Sequence, residues 1–270
     1  MRRGADRGLA ILPMYDRREL EPETDRLWRL LREAIRDRGI DAPEVLTRDK
    51  PLRLVWSAPE LVFGQTCGLP YASALARRVG LIGTPAYAID GVAPGEYRSA
   101  LIVRADNPAA DLGALAGARV AINARDSQSG YGALMHEVAP HVRGGQFFSE
   151  AMITGSHAAS MEAVARGGAD LAAIDGVTWA LAERYDRIVS RLRVIAWSAP
   201  MPGLPYISGQ RRHLPVLLAA AEAAIAALPA PTRDALLLTG IVHTRPETYD
   251  VIRTRLAAAH AVHRLPSPPH

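Results

Sequence analysis

Short apolar runs alternate along the chain with stretches in which apolar residues recur every three or four positions, the signature of a sheet built from strand–helix units. Leu9–Met14 is a run of the first kind and reads as a strand. Behind it, Pro22 sits near a helix start, Leu27, Trp28, Leu30, Leu31 and Ile35 fall at helical spacing, and Gly39 is a stop. Leu52–Trp56 and Ala86–Ile89 are further strand candidates. Residues 100–104 are apolar and β-rich, suited to carrying the chain from one lobe to another.

The middle third repeats one pattern: a strand, a turn of small polar residues, a helix. Arg119–Asn123 leads through Asp126-Ser127-Gln128-Ser129-Gly130-Tyr131 into a helix ending near Val138. Ala151–Thr154 leads through Gly155-Ser156-His157 into a helix that runs to Arg166 and is stopped by Gly167 and Gly168. Leu171–Ile174 leads through Asp175-Gly176-Val177-Thr178 into a helix ending near Tyr185. In an open α/β sheet the loops leaving the carboxyl ends of strands lie together, so the three turns are expected to line one crevice.

Leu192–Trp197 reads as a returning strand, followed by the Pro/Gly-rich loop Ala199–Pro205. From Arg212 to His263 the pattern is mainly helical, and the tail Pro266–His270 reads as frayed. The longest apolar stretch, Leu214–Leu228, is interrupted by Glu222 and flanked by prolines, so it reads as a buried amphipathic helix and not as a membrane span. The expected division is a discontinuous lobe one, residues 1–101 with 198–270, and a lobe two, residues 102–197. Hinges are expected near 100–104 and 195–199.

Composition narrows the chemistry. A chain of 270 residues buries a sizeable core, and its one cysteine, Cys67, excludes an intramolecular disulfide and a multi-cysteine metal site. The net charge of +4 comes from arginines scattered among carboxylates, which argues against nucleic acid as a partner. Lys50 is the sole lysine, so Schiff-base chemistry would depend on one residue in a polar turn. His136 and His141 belong to no metal-ligand cluster, and neither a Gly-x-Ser-x-Gly elbow nor a phosphate loop is present. Ser127, His157 and Asp175 are the residue types of a hydrolytic triad, but Ser127 precedes a helix that would hold it as a cap, so no cofactor, metal or catalytic group is expected. The polar opening Met1–Gly8 lacks the form of a secretory signal.

What remains is anion binding. A helix N-terminus offers unpaired N–H groups and the positive end of the macrodipole, and Ser127, Ser129, Thr154 and Ser156 place hydroxyls beside such ends. Each of them is equally suited to an ordinary helix cap. His157 is either a donor to an anionic oxygen or a structural histidine, and Asp175 either a cap or an acceptor for a ligand's hydroxyl or ammonium group. Tyr15, Tyr71, Tyr97 and Tyr131 lie in turn regions and can present a phenol to a cleft.

The run Asp126–Tyr131, followed by Thr154-Gly155-Ser156-His157 and Ala173-Ile174-Asp175, resembles the phosphate/phosphite/phosphonate solute-binding proteins of ABC transporters. The likeness extends through Gly95-Glu96-Tyr97-Arg98-Ser99 and Pro202-Gly203-Leu204-Pro205. It implies an α/β fold of the two-lobed type II periplasmic-binding-protein kind, with a ligand cleft between the lobes. It further implies Ser127, Gln128, Ser129 and His157 as anion ligands, Tyr97 and Tyr71 as first-lobe contacts, and a monomer delivering a small anionic solute to an ABC permease in the periplasm. Family members often show Ser-Thr-Ser where this chain has Ser-Gln-Ser. Met201–Tyr206 holds no acidic residue for a ligand amine, so 2-aminoethylphosphonate is not favoured. The unrecognised export signal keeps open a cytoplasmic relative of the same fold, a ligand sensor or a cofactor-biosynthesis enzyme.

Overall fold

Three crossings, at Glu96/Tyr97, Met201/Pro202 and Tyr249/Asp250, divide the chain into two units in the computed structural model, which describes residues 8–266. Of the described residues, the first unit holds 8–96 together with Pro202–Tyr249, and the second holds Tyr97–Met201 with 250–266.

The first unit is a five-stranded sheet in the order Leu9–Ile11, Leu61–Gln65, Tyr206–Ser208, Gly80–Tyr87, Leu238–Val242. The first two strands are parallel and the remaining pairs antiparallel. Helix Glu21–Arg36 opens with Glu21, Pro22 and Glu23, which suit the positive end of its dipole. It buries Leu27, Trp28, Leu31 and Ile35 on one face, packs on helix Leu214–Ala226, and ends at Gly39, whose φ of 79° is a left-handed stop.

Several expectations in this unit are corrected. Leu52–Trp56 is a helical turn and not a strand: Leu54 and Val55 both donate to the Pro51 carbonyl, and Leu54 is 68% exposed. Short apolar runs do not distinguish the two states. The strand expected at Ala86 begins at Gly80, where a Cβ would stand 2.5 Å from Leu214 Cδ1; at Gly83 it would stand 2.9 Å from the Val242 carbonyl oxygen. These glycines allow close packing and at the same time hide the strand from a propensity reading. Leu61–Gln65, every residue buried, was not anticipated, nor was Leu238–Val242 within the stretch read as helical.

The second unit is a five-stranded sheet in the order Glu150–Ile153, Arg119–Ile122, Leu171–Asp175, Ser99–Arg104, Leu192–Trp197. The first three strands are parallel, and Ser99–Arg104 runs antiparallel to both its neighbours. Both faces of the sheet are covered, and the strand period of two sorts the core accordingly. Leu101, Val103, Val120, Ile122 and Ala173 pack with Leu134, Met135 and Val138 of the helical stretch 128–138. Ala100, Ile102, Ala121, Ala172 and Ile174 pack with Met161 and Val164 of helix His157–Ala165 and with Trp179 of helix Gly176–Tyr185.

The hinge expectation is corrected too. Ser99–Arg104 and Leu192–Trp197 form a ladder with each other, from Ala100 opposite Trp197 to Arg104 opposite Leu192, so both lie inside the second unit. A strand paired along its length cannot act as a free connection. Residues after Tyr249 also leave the lobe expected of them. Helix Asp250–Val262 buries Ala259 in the second core, Tyr131 Oη and His260 Nε2 lie 2.6 Å apart, and His263 Nε2 donates to the Met135 carbonyl at 2.9 Å. Residues 1–7 and 267–270, including most of the polar opening and the tail read as frayed, lie outside the described residues. Among the described residues no helix is long and apolar enough to cross a membrane.

Candidate functional site

Because strands Arg119–Ile122, Glu150–Ile153 and Leu171–Asp175 are parallel, their carboxyl ends share one edge of the second sheet, and each is followed by a helix start. The first of these turns is tied to the second by main-chain bonds. Thr154 donates to the Ile122 carbonyl and Gly155 to that of Asn123, each at 2.9 Å, with Gly155 in the left-handed region at φ 88°.

Ser127 has an extended backbone, and its hydroxyl accepts from Gly130 N at 3.0 Å. The chain then enters a π-wound turn, Gln128–Gly132, before Ala133–Val138 continues as α-helix. Gly132 N reaches back to the Ser127 carbonyl at 3.0 Å, which widens the turn, and such π turns recur at functional sites. Gly130 is required here: a Cβ would overlap Asn123 Oδ1 and stand 3.1 Å from His157 Cε1.

His157 opens the second helix, and its Nε2 lies 2.9 Å from Ser129 Oγ. Two side chains separated by 28 positions are thus bonded across the strand ends. Burial pushes the imidazole down to about 4, the Ala173 backbone carbonyl working against the shift, so His157 is neutral at ordinary pH. Ser127 Oγ lies 3.4 Å from Ser129 Oγ, completing a row of three side chains.

The other expected residues take different places. Ser156 is exposed and caps its helix by accepting from Ala159 N at 3.1 Å. Thr154 Oγ1 is engaged within its own turn with the Ile122 and Ser156 carbonyls and with Ser160 Oγ. Asp175 is buried, and one carboxylate oxygen accepts from both Val177 N and Thr178 N at 2.9 and 3.1 Å. Gln128 is buried with its amide folded over Gly132, where a Cβ would meet it.

Tyr97 is buried at the start of the second unit, two residues before Ser99, which is paired with Asp175. Tyr71 belongs to the first unit. It opens that unit's own π-wound turn, Tyr71–Leu75, its ring lies 4.9 Å from that of Tyr249, and burial pushes its phenol up to about 12, with Arg211 opposing and Glu247 adding to the shift. Among the other turn tyrosines, Tyr15 packs edge-on to Tyr87 at 5.0 Å, and Tyr131 is held by His260.

Two residues at this edge escaped the sequence reading. Asn123 ends the first parallel strand against Gly130, with Oδ1 buried and unpartnered. Arg98 directly precedes Ser99 and lies 4.3 Å over the Trp197 ring; its buried Nε has no hydrogen-bond partner. Strand register brings these groups to the edge, since Ser99 faces Asp175 and Ala100 faces Trp197. The one signal for Arg98 in the sequence was its place between Tyr97 and Ser99. The edge thus gathers helix starts, a neutral imidazole, a carboxylate that accepts two N–H groups of its own helix start and a guanidinium stacked on an aromatic ring. Among the described residues no cluster of His, Cys, Asp and Glu could hold a metal.

Residues 58–247 match the family model for "ABC transporter, phosphonate, periplasmic substrate-binding protein". PhnD1 from Prochlorococcus marinus in complex with methylphosphonate is 14% identical, with a TM-score of 0.70 over 93% of this chain and 98% of that one. A binding-protein component of an ABC phosphonate transporter from Pseudomonas aeruginosa is 16% identical, with a TM-score of 0.69 over 95% of this chain and 88% of its own. The periplasmic aliphatic sulphonate binding protein SsuA from Escherichia coli is 15% identical, with a TM-score of 0.62 over 96% and 92% of the two chains. At these identities the structures establish the type II periplasmic-binding fold. No curated protein sequence matches the chain.

Proposed function

Since this chain belongs to the phosphonate-binding periplasmic substrate-binding family of ABC transporters, we propose that it binds a phosphonate-, phosphite- or phosphate-like oxyanion as the receptor of an importer, with Ser127, Ser129 and His157 around the oxyanion. The family consists of solute-binding proteins and not of enzymes, is periplasmic, and implies a membrane permease as partner. A periplasmic location for this chain, with an anionic solute to deliver there, is part of the same proposal.

The observation that carries the reading is the bond between Ser129 and His157, which joins two helix starts at one sheet edge. A single capped helix needs no such link. Asp175 brings the only carboxylate among the expected site residues, and its Oδ1 is engaged by Val177 N and Thr178 N of its own helix start. Arg98 adds a cation to the same edge.

Thermal unfolding in phosphate-free buffer, against phosphate, phosphite, methylphosphonate, 2-aminoethylphosphonate, sulfate and small carboxylates, tests the proposal. A ligand at about a hundred times its dissociation constant adds roughly 2.7 kcal/mol to the folded state, a midpoint rise of roughly 5 °C or more. The double variant Ser129→Ala, His157→Ala is expected to keep its fold by circular dichroism and lose the shift. If no phosphorus oxyanion moves the midpoint, this reading is wrong.

A further inference from the structure

Arginines that are scattered along the chain are gathered by the fold at one corner of the first unit. Strand Tyr206–Ser208 runs antiparallel to strand Gly80–Tyr87, with Ser208 opposite Gly80, so the end of the one and the start of the other leave the sheet together. Arg77 and Arg78 stand just before Gly80; Arg211, Arg212 and His213 stand just after Ser208. Arg211 Nη1 donates to the Arg77 carbonyl at 3.1 Å across 134 positions of sequence, and Arg212 Nε to His213 Nε2 at 2.9 Å. Leu214 covers Gly80 so closely that a Cβ there would stand 2.5 Å from its Cδ1. Four guanidiniums and an imidazole thus share one surface.

All four arginines are exposed, and among the described residues neither they nor His213 make an ion pair, whereas Arg36, Arg48, Arg119 and Arg253 each hold a carboxylate. Glu247 brings a carboxylate charge toward this corner, opposing Arg211 at the Tyr71 phenol, but bonds none of the five. The cluster does not serve stability. Arg211, Arg212 and His213 directly precede helix Leu214–Ala226, where the positive end of the dipole repels cations and no side chain caps the helix.

Unpaired cations held together against repulsion suit an anionic partner, and the neighbouring side chains decide its kind. Protein interfaces rest on apolar and aromatic anchors. Among the described residues none of the exposed large apolar side chains lies in either segment, and Leu75, Val79 and Leu217 beside the arginines are buried. A charged lipid surface needs only cations, and guanidinium forks match its phosphodiester oxygens.

We propose that Arg77, Arg78, Arg211 and Arg212 form a docking surface for anionic phospholipid headgroups, holding the protein at the membrane where the permease implied by its family lies. The inference goes beyond the receptor reading and takes from it only the membrane as the place of action. Each arginine at such a surface contributes about fivefold in partition, so the four together reach about a thousandfold.

Co-sedimentation of the full chain with lipid vesicles tests it. At low salt the protein is expected to bind vesicles of phosphatidylglycerol and phosphatidylcholine in equal parts and not vesicles of phosphatidylcholine alone. It is expected to leave the anionic vesicles at about 1 M salt, where charges are screened beyond about 3 Å. The double variant Arg77→Gln, Arg212→Gln should weaken partition about thirtyfold. Arg143→Gln, Arg187→Gln, which removes the same charge from exposed positions of the second unit, should change it by less than about threefold. Both variants should keep the thermal response to oxyanions, so a failure here and a failure of the oxyanion reading are told apart.

No binding to anionic vesicles, retention at high salt, equal losses in the two double variants, or capture by soluble polyglutamate with none by vesicles each overturns the inference, the last by assigning the surface to an acidic protein. Should Arg77→Gln, Arg212→Gln not fold, Arg78→Gln replaces it with an expected loss of about fivefold, and an unchanged partition there overturns the inference equally.

Discussion

Replacing Gly130 with alanine sets two effects of known sign against each other. Gly130 has right-handed helical backbone, being absent from the positive-φ positions, so alanine on its own would gain about 1 kcal/mol from helix propensity and a less mobile unfolded chain. The obstacle is tertiary. The new Cβ would overlap Asn123 Oδ1, with Asn123 Cγ at 2.8 Å and His157 Cε1 at 3.1 Å, and neither neighbour is the far end of a long side chain. Overpacking of this kind costs about 1–3 kcal/mol, so the expected net loss is about 1 kcal/mol. Truncating the obstacle should reverse the sign: in an Asn123→Ala background, Gly130→Ala should be neutral or stabilising by about 0.5 kcal/mol, a coupling of roughly 1–2 kcal/mol. Urea unfolding of the four proteins of the cycle, followed by far-ultraviolet circular dichroism, reads it directly. A higher midpoint for Gly130→Ala in the wild-type background, or the same decrease in both backgrounds, would refute the packing argument.

Two further predictions rest on the histidines. His157 has its folded pKa depressed to about 4 from 6.5, so between these values the unfolded state binds the extra proton, and stability falls as pH drops through that window by on the order of 3 kcal/mol. Urea midpoints at pH 7 and pH 4.5 should therefore differ more for wild type than for His157→Gln; equal differences would contradict a buried neutral imidazole. At the C-terminal helix, Tyr131→Phe and His260→Ala should each cost about 1 kcal/mol, and the double variant should cost less than their sum because both remove the 2.6 Å bond. Strict additivity in a chemical-denaturation cycle would show that the bond does not hold the helix.

The second unit was largely legible because its information is local. Two of its parallel strands, Arg119–Ile122 and Leu171–Asp175, are buried runs rich in apolar residues, and each turn carries the residues that stop a strand and cap a helix, Ser127, Ser156 and Asp175 among them. The first unit was less so. Gly80 and Gly83 occupy strand positions where Leu214 and Val242 press against the backbone, and a contact across such a distance in sequence leaves no local trace. The Ala-rich helix Asp250–Val262 could have packed on either unit; Ala259 in the core and His260 against Tyr131 decided it.

By itself, then, the amino-acid sequence determined the α/β class, the three turns, and Ser127, Ser129 and His157 as candidates, because caps, periodicity and glycine stops act within a few residues of where they are written. Tertiary structure alone decided which of those side chains meet. It spent Thr154, Ser156 and Asp175 on their own turns, brought Arg98 and Trp197 to the same edge through strand register, and joined Ser129 to His157 across the strand ends. Each of these is a relation between residues far apart in the chain, fixed only when the sheet has closed its register.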